Sequence, residues 1–199
     1  MTSIASHPQR GGIRAQLRQN LTLRKLSALH WEALEPKLEI VEHAKGSMLV
    51  TQGSADMEQI FILEGILKRV VGNSEGKEMI LRLAAETEMD TSYAAWRLNT
   101  LTPYSIVALT NCRVARLPLE AWVEFIEHHN ELKQAFEYEV MRLMSEVMAH
   151  TITLHLLDAS GRLARFKRKH PELVDRIPKK ELAAYLNITP ETLSRVKVR

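Results

Sequence analysis

Short apolar runs separated by turn residues fill the chain between residues 38 and 117. Runs at 38–41, 60–63 and 66–71 are each followed by a break that contains glycine. Runs of this length that recur every ~8–12 residues are typical of antiparallel β-structure. The pattern predicts an α+β fold with an antiparallel barrel or sandwich, and of these we favour a β-barrel of the double-stranded β-helix, or jelly-roll, type. A helical turn at 89–98 is expected to interrupt the strands.

The polar residues 1–20 predict a loose, flexible arm that leads into a short helix. Apolar residues at 21, 23, 26, 29, 31 and 34 then predict one or two further short helices, which Pro36 ends. The domain boundaries that follow are an arm at 1–20, a barrel domain at 21–118, a long helical region at 119–158 and a small helical domain at 159–199.

Two apolar lines run along the predicted long helix. The first has alternating spacings of four and three, which is the heptad pattern of a two-stranded coiled coil, and it consists of Phe136, Val140, Leu143, Val147, His150, Leu154 and Leu157. We expect this line to form a homodimer seam. The second line, Met141, Met144, Met148 and Ile152, is expected to pack on the chain's own barrel. A single amphipathic helix on one core is the alternative.

His150 lies within the predicted seam. Across a dimer axis two such histidines would approach each other, and protonation of both would weaken the seam. The alternative is a histidine whose ring is satisfied by water or by a neighbouring group. The turn residues 158–161 then end the long helix, with Gly161 as its C-cap.

Residues 178–199 carry the signals of two short helices joined by a tight turn. Asn187 tolerates the left-handed backbone that such a turn needs, Thr189 is a good N-cap and Pro190 a good first residue of the second helix. Leu182, Ala183 and Leu186 mark a buried face on the first helix. This pattern predicts a helix-turn-helix, whose second helix fits the major groove of DNA.

Charge strengthens the prediction of a nucleic-acid partner. The net charge is +3, yet residues 160–199 hold 11 lysines and arginines against four acidic residues, so this segment alone carries +7. Arg195 is suited to donate two hydrogen bonds to the edge of a guanine, and Glu191 to accept one from a cytosine amine. Ser194 is suited to donate or to accept. Residues suited to the DNA backbone are Lys179, Lys180, Thr189, Thr192, Lys197 and Arg199. The alternative is an ordinary helical hairpin with a solvated basic face.

The order of elements and several motifs resemble the Crp/Fnr superfamily of bacterial transcription regulators. The motifs are Lys45-Gly46, Gln52-Gly53 and the run 61–65 in the barrel, and the pattern Glu-x-x-Ser-Arg at 191–195. The resemblance implies a homodimeric regulator in which the barrel is a sensor that modulates the helix-turn-helix. It implies TTGAT-like half-sites in an inverted repeat of double-stranded DNA, with RNA polymerase as a further partner of an activator.

Departures from the family pattern limit the expected ligands. The relatives that bind cyclic AMP have Gly-Glu and Arg-Ser where this chain has residues 89–93 and Tyr104-Ser105, so cyclic AMP is not expected. Cys112 is the single cysteine and is expected to be a buried core thiol, so an iron–sulfur cluster is not expected either. Haem or another small effector stays open, no metal site is predicted, and the candidate effector-pocket residues are Arg82, Tyr93, Arg97, Tyr104 and Ser105.

Other classes of function are less well supported by the sequence. A small-effector binding module whose C-terminal hairpin contacts protein is the main alternative. No P-loop, nucleophile elbow, GxGxxG or HExxH motif is present, so an enzyme is not expected. The N-terminus lacks an apolar signal-peptide core and no apolar run is long enough to span a bilayer, which favours the cytoplasm without a membrane partner. A C-terminal β-hairpin wing is not expected after the second helix of the predicted helix-turn-helix.

Overall fold

The computed structural model describes residues 2–196. The chain divides into two compact units. The first comprises the chain up to Arg69 together with Leu83–Leu143, and the second comprises Val70–Arg82 together with the chain from Met144 onward. No helix in the described part of the chain is long and apolar enough to cross a membrane.

Two antiparallel sheets form the β-structure. Their strands are β1 Thr2–Ser3, β2 Glu39–His43, β3 Met48–Val50, β4 Glu58–Glu64, β5 Leu67–Gly72, β6 Glu78–Ala84, β7 Met89–Thr91, β8 Ser105–Ala108 and β9 Cys112–Pro118. One sheet has the order β1-β2-β9-β4-β7 and the other β3-β8-β5-β6. Each sheet keeps two edge strands, so the predicted closed barrel is wrong and the arrangement is a sandwich of open sheets. Alternating short strands are compatible with both, and only the pairing distinguishes them.

The strand β4, which lies between β9 and β7, explains how the first unit builds two cores. Its side chains alternate between the two faces of the sheet, and five consecutive residues are buried. Ile60 and Ile62 belong to one apolar cluster with residues of the second sheet, whereas Phe61 and Leu63 belong to a cluster formed with helices. A strand buried on both faces shows a continuous apolar run, as residues 60–63 do.

Helices cover the five-stranded sheet of the first unit. They are α1 Arg10–Leu17, α2 Ala28–Leu34, α3 Tyr93–Arg97, α4 Leu119–Glu127 and α5 Asn130–Leu156, of which the last continues into the second unit. Trp122 is fully buried and meets Phe61 and Phe136 edge to face, with ring centroids 5.4 Å apart in both pairs. This is the preferred geometry of aromatic pairs, and it fixes α4 and the start of α5 on the sheet.

The N-terminal segment differs from the predicted loose arm. Thr2 and Ser3 pair with Ile40 and Glu39 of β2, and a 3-10 helix and α1 follow. Ile4, Ile13 and Leu17 are buried in the core of the first unit. These three apolar residues are widely spaced among polar ones, so the stretch lacks the dense periodicity from which a packed segment is recognised.

The second unit contains the end of α5, the hairpin between β5 and β6, and three further helices. These are α6 Ala159–Lys169, α7 Lys179–Tyr185 and α8 Pro190–Arg195. Asp158 is the N-cap of α6 and accepts a hydrogen bond from the Gly161 amide. Gly161 therefore lies inside α6 and is not the predicted C-cap of the preceding helix. A Cβ atom at Gly161 would lie 3.2 Å from Asp158 Oδ1 and 3.3 Å from Leu157 Cβ, which explains the glycine.

Candidate functional site

Helices α7 and α8 and the turn between them adopt the conformation that the sequence predicts. Asn187 has a φ of +51° in the turn, and Thr189 caps α8 by accepting a hydrogen bond from the Thr192 amide at 3.1 Å. Leu182, Ala183 and Leu186 are buried, as predicted. The Ile188 amide donates to the Ala183 carbonyl at 3.0 Å, which holds the chain where it folds back after α7.

The outer face of α8 presents the three predicted base-reading residues. Glu191, Ser194 and Arg195 are all exposed. The Glu191 carboxylate accepts hydrogen bonds from its own amide and from Thr189, which lowers its pKa and keeps it charged. The Ser194 hydroxyl donates to the Pro190 carbonyl at 3.0 Å, so its free lone pairs make it an acceptor toward solvent.

The predicted backbone-contacting residues surround this face. Lys179 and Lys180 are exposed in the first turn of α7, and Thr189 is exposed at the start of α8. Thr192 is half-buried, and its hydroxyl lies 3.1 Å from that of Thr189. Lys197 and Arg199 lie outside the described residues.

The burial of the two apolar lines along the long helix is the reverse of the predicted one. Phe136, Val140 and Leu143 are buried in the core of the first unit, whereas the second line is exposed. Val147 and Leu154 are half-buried and Leu157, beyond the end of α5, is exposed. The predicted seam, as a set, is therefore wrong. Both lines satisfy a period near 3.5 residues, so their spacing does not reveal which one meets the core.

The exposed line extends over five apolar side chains, which we call the methionine face. Each of them has between 49% and 65% of its surface exposed, and they are Tyr138, Met141, Met144, Met148 and Ile152. At 100° per residue they lie on the side of α5 opposite to Phe136 and Leu143. A contiguous apolar stripe of this kind is unusual on a monomer and indicates an interaction surface.

His150 lies away from the methionine face and inside the second unit. Its ring stacks on Tyr185 of α7, with centroids 3.9 Å apart and an interplanar angle of 2°. The ring is about opposite Met141 and Met148 around the helix, so it does not approach a dimer axis through that face. The prediction that His150 lies in the dimer seam is therefore wrong. The structure shows the alternative, in which a neighbouring group, Tyr185, contacts the ring.

Burial lowers the pKa of His150 to about 4. The charges of Lys169 and His170 also disfavour protonation, whereas backbone groups of Tyr185 and Ile80 favour it. The ordinary value of 6.5 applies to the unfolded chain, so protonation below that pH favours unfolding. Stability from this group is complete above pH 6.5 and is lost as the pH falls from about 6.5 to about 4.

The variant His150→Phe keeps an aromatic ring on Tyr185 but removes the titration. We expect its thermal midpoint to fall less between pH 7 and pH 4.5 than that of the unmodified protein, as measured by circular dichroism. His155→Phe, at an exposed position of the same helix, is the control and should retain the original pH dependence. An unchanged pH dependence in His150→Phe contradicts the assignment.

A buried ion pair that sequence reasoning missed lies in the first unit. Arg69 on β5 and Asp90 on β7 are almost completely buried, with a closest N–O distance of 2.6 Å. Arg69 also donates to the Thr91 carbonyl at 3.0 Å, and its guanidinium lies over the Tyr104 ring at 4.4 Å. Burial disfavours the charged guanidinium, but the charge and hydrogen bond of Asp90 together with Tyr104 outweigh it, and the pKa of Arg69 is raised. The partners are 21 residues apart, and only their unusual position in apolar strands could have signalled them.

Residues 40–129 match the family model of the cyclic nucleotide-binding domain. This part of the chain is therefore similar to the cyclic nucleotide-binding domain, and we refer to it below as the cyclic nucleotide-binding-type domain. No curated protein matches the sequence at a significant level.

Solved structures with a similar fold cover most of the chain. A putative cyclic nucleotide binding protein from Ruegeria pomeroyi is 23% identical over 95% of this chain and 86% of its own, with a TM-score of 0.63. A putative transcriptional regulator of the Crp/Fnr family from Eubacterium rectale is 14% identical over 89% and 85%, with a TM-score of 0.71. CLP, a c-di-GMP responsive global regulator from Xanthomonas campestris, is 12% identical over 85% and 89%, with a TM-score of 0.69. The chain has the fold of these regulators.

Within the cyclic nucleotide-binding-type domain, the predicted effector residues have protein partners or face solvent. The Tyr93 hydroxyl donates to Glu137, the Tyr104 hydroxyl donates to the Thr91 carbonyl at 2.7 Å, and the Ser105 hydroxyl accepts from the Gln52 amide. Arg97 is exposed. Tyr93, Tyr104 and Ser105 therefore each bond to a different group of the protein, whereas Arg97 is in contact with solvent.

Arg82, the fifth candidate effector residue, and Cys112 are both buried. Arg82 is buried in the second unit with its Nε 3.7 Å from Glu146. Cys112 is buried as predicted, and burial raises the pKa of its thiol. The Cys112 sulfur lies 3.2 Å from the Ile66 carbonyl, which is the environment of a structural thiol.

Proposed function

We propose that this protein is a homodimeric, sequence-specific DNA-binding transcription regulator of the Crp/Fnr type. The observation that carries the proposal is the exposed Glu191, Ser194 and Arg195 face of a capped helix, preceded by a tight turn, in a segment of net charge +7. The regulators that share the fold support it. In this proposal α7 and α8 are a helix-turn-helix, and α8 enters the major groove.

The three exposed side chains of α8 have the chemistry for reading bases. Arg195 donates two hydrogen bonds to the O6 and N7 atoms of a guanine, and Glu191 accepts one from a cytosine amine. Ser194 supplies an acceptor between them. Lys179, Lys180 and Thr189 contact phosphates and orient the helix without carrying sequence information. Thr192, Lys197 and Arg199 belong to the same proposed backbone-contacting set.

Two such helices from a symmetric dimer read an inverted repeat with centres about one helical turn, or ~10 base pairs, apart. The methionine face of α5 is the proposed dimer interface, in place of the seam expected from sequence. We expect TTGAT-like half-sites, with RNA polymerase as a further partner if the protein activates transcription. The cyclic nucleotide-binding-type domain acts as the sensor and biases the orientation of the two recognition helices.

The sensor interior does not favour cyclic AMP as the effector. Arg69 is the most deeply buried arginine of the first unit, and its guanidinium is already engaged by Asp90 and the Thr91 carbonyl. A cyclic phosphate would have to displace a carboxylate from a fully desolvated pair. We therefore propose a small effector other than cyclic AMP, and no iron–sulfur cluster or resident metal.

Selection of bound sequences from a random duplex pool tests the proposal directly. The purified full chain should recover an inverted repeat with TTGAT-like halves at moderate salt. Parallel selections with cyclic AMP and with a small-molecule cell extract test whether an effector is required. Failure to recover a repeat in all three selections contradicts DNA reading and favours a small-effector module whose C-terminal helices contact protein.

Arg195→Ala is expected to weaken binding to the selected repeat by about 10- to 100-fold per half-site and to relax the preference at one base. Lys179→Ala is the matched control, because a lost phosphate contact weakens all sequences equally and reduces the salt slope by about one. Fluorescence anisotropy with single-base variants at several salt concentrations measures both effects. Uniform weakening by Arg195→Ala would show that Arg195 contacts only the backbone.

A further inference from the structure

Arg162, near the start of α6, makes an unusual set of hydrogen bonds. Its guanidinium donates to four backbone carbonyls. Nη2 lies 2.6 Å from the Leu154 carbonyl and Nε lies 2.8 Å from that of Leu157. Nη1 lies 3.0 Å from the Leu186 carbonyl and 3.2 Å from that of Asn187. One side chain thus connects the end of α5 with the turn that precedes α8.

Two of these carbonyls, those of Leu154 and Leu186, are acceptors that helices leave without partners. The last four carbonyls of a helix have no intrahelical donor, and the C-terminus carries the negative end of the helix dipole. Leu154 belongs to the last turn of α5, and Leu186 is the C-cap of α7. A single cation therefore stabilises the C-terminal ends of two helices from different parts of the second unit.

The requirement for arginine follows from geometry. A guanidinium is planar, keeps its charge at every relevant pH and directs five N–H groups in fixed directions. A lysine ammonium is a point charge with three donors on a flexible stem, so it does not bridge the four acceptors at once. Arg162 also lies near the N-terminus of α6, where a positive charge is unfavourable, and the two facing helix ends offset that cost.

We propose that Arg162 is a positioning residue, which fixes the recognition helix α8 relative to the dimer helix α5. The proposal rests on the proposed function and deepens it. Asn187 is the residue of the turn with a left-handed backbone, and α8 begins at Pro190. Holding the Leu186 and Asn187 carbonyls fixes the point from which α8 leaves the turn. In a dimer through α5, this contact sets the distance between the two reading helices and hence the half-site spacing.

The test compares Arg162→Lys with Arg168→Lys. Both keep the charge, both lie on α6, and Arg168 is exposed. A pool of duplexes joins two copies of the selected half-site by spacers that vary in single base pairs. We expect the unmodified protein and Arg168→Lys to prefer one spacing, and Arg162→Lys to accept neighbouring spacings with less than about a threefold penalty, because half-site spacing reports the geometry of the dimer. The salt slope of Arg162→Lys should stay unchanged, because its side chain contacts carbonyls and not phosphates.

A merely stabilising role gives a different result. Partial unfolding of Arg162→Lys lowers the fraction of active protein but leaves the spacing preference of the bound dimers unchanged, so a single retained spacing overturns the proposal. A reduced salt slope also overturns it, because it identifies Arg162 as a phosphate contact.

Hydrogen exchange without DNA separates this proposal from the proposed function. We expect faster amide exchange over residues 186–196 in Arg162→Lys than in Arg168→Lys, whether or not the protein binds DNA. Unchanged exchange in that segment shows that Arg162 does not hold the turn. Faster exchange in a protein that selects no DNA repeat supports the anchor and contradicts the proposed function.

Discussion

Met148→Asp is expected to convert the proposed homodimer into a monomer. Met148 lies in the middle of the methionine face, and its side chain has no apolar partner within the core clusters of the described chain. A carboxylate at the centre of a two-stranded seam would be desolvated without a partner in both copies, which is strongly unfavourable. Light scattering or sedimentation on the purified full chain measures the change.

DNA binding should fall with the dimer. A dimer binds the second half-site as an intramolecular event, and loss of this linkage costs about 100-fold or more in affinity. Leu29→Asp is the matched control, because Leu29 is an equally exposed apolar residue on a different helix. We expect it to stay dimeric. A Met148→Asp variant that keeps the mass and affinity of the dimer rules out the methionine face as the interface.

Asp90→Asn is expected to lower the free energy of unfolding by about 3–5 kcal/mol, because it leaves the buried Arg69 without its charge partner. Both side chains are at most 3% exposed, so solvent does not screen the remaining charge. Asp90 also accepts a hydrogen bond from the Thr91 amide at 2.8 Å, and this contact helps to hold the end of β7. Urea denaturation followed by circular dichroism measures the change in midpoint.

A double variant separates the cost of an orphaned charge from the contribution of the pair itself. Arg69→Met with Asp90→Leu removes both charges, and we expect it to recover most of the stability lost in Asp90→Asn. Glu127→Gln breaks an ion pair with Lys133 at the surface and should change the midpoint little. Equal losses in the single and double variants would show that the hydrogen-bond geometry, and not the unpaired charge, is decisive.

Local chemistry made the C-terminal part of the chain predictable. Asn187 in the left-handed region, Thr189 as the N-cap and Pro190 in the first turn each satisfy a requirement of neighbouring backbone groups. Such requirements extend over three or four residues and are readable from sequence. For the same reason, the exposed positions of Glu191, Ser194 and Arg195 follow from helix periodicity once the start of α8 is known.

Contacts between distant residues account for the expectations that were wrong. Strand pairing leaves β1 and β7 as the edges of one sheet and β3 and β6 as the edges of the other, and this decides between a closed barrel and two open sheets. Ile4, Ile13 and Leu17 become a packed segment only because a hydrophobic core is available to receive them. Neither Arg69 nor Asp90 alone identifies its partner in the sequence, and they form an ion pair because the fold brings their strands together.

The long helix shows most clearly where the sequence stops being informative. Its two apolar lines are evident from spacing alone, so the sequence determined that the long helix has two apolar faces, and capping residues determined where α8 starts. The tertiary structure decided which face meets the core, that His150 stacks on Tyr185, and that Arg162 reaches both helix ends. The physical reason is that periodicity and capping depend on neighbours in the chain, whereas burial depends on which other element occupies the facing space.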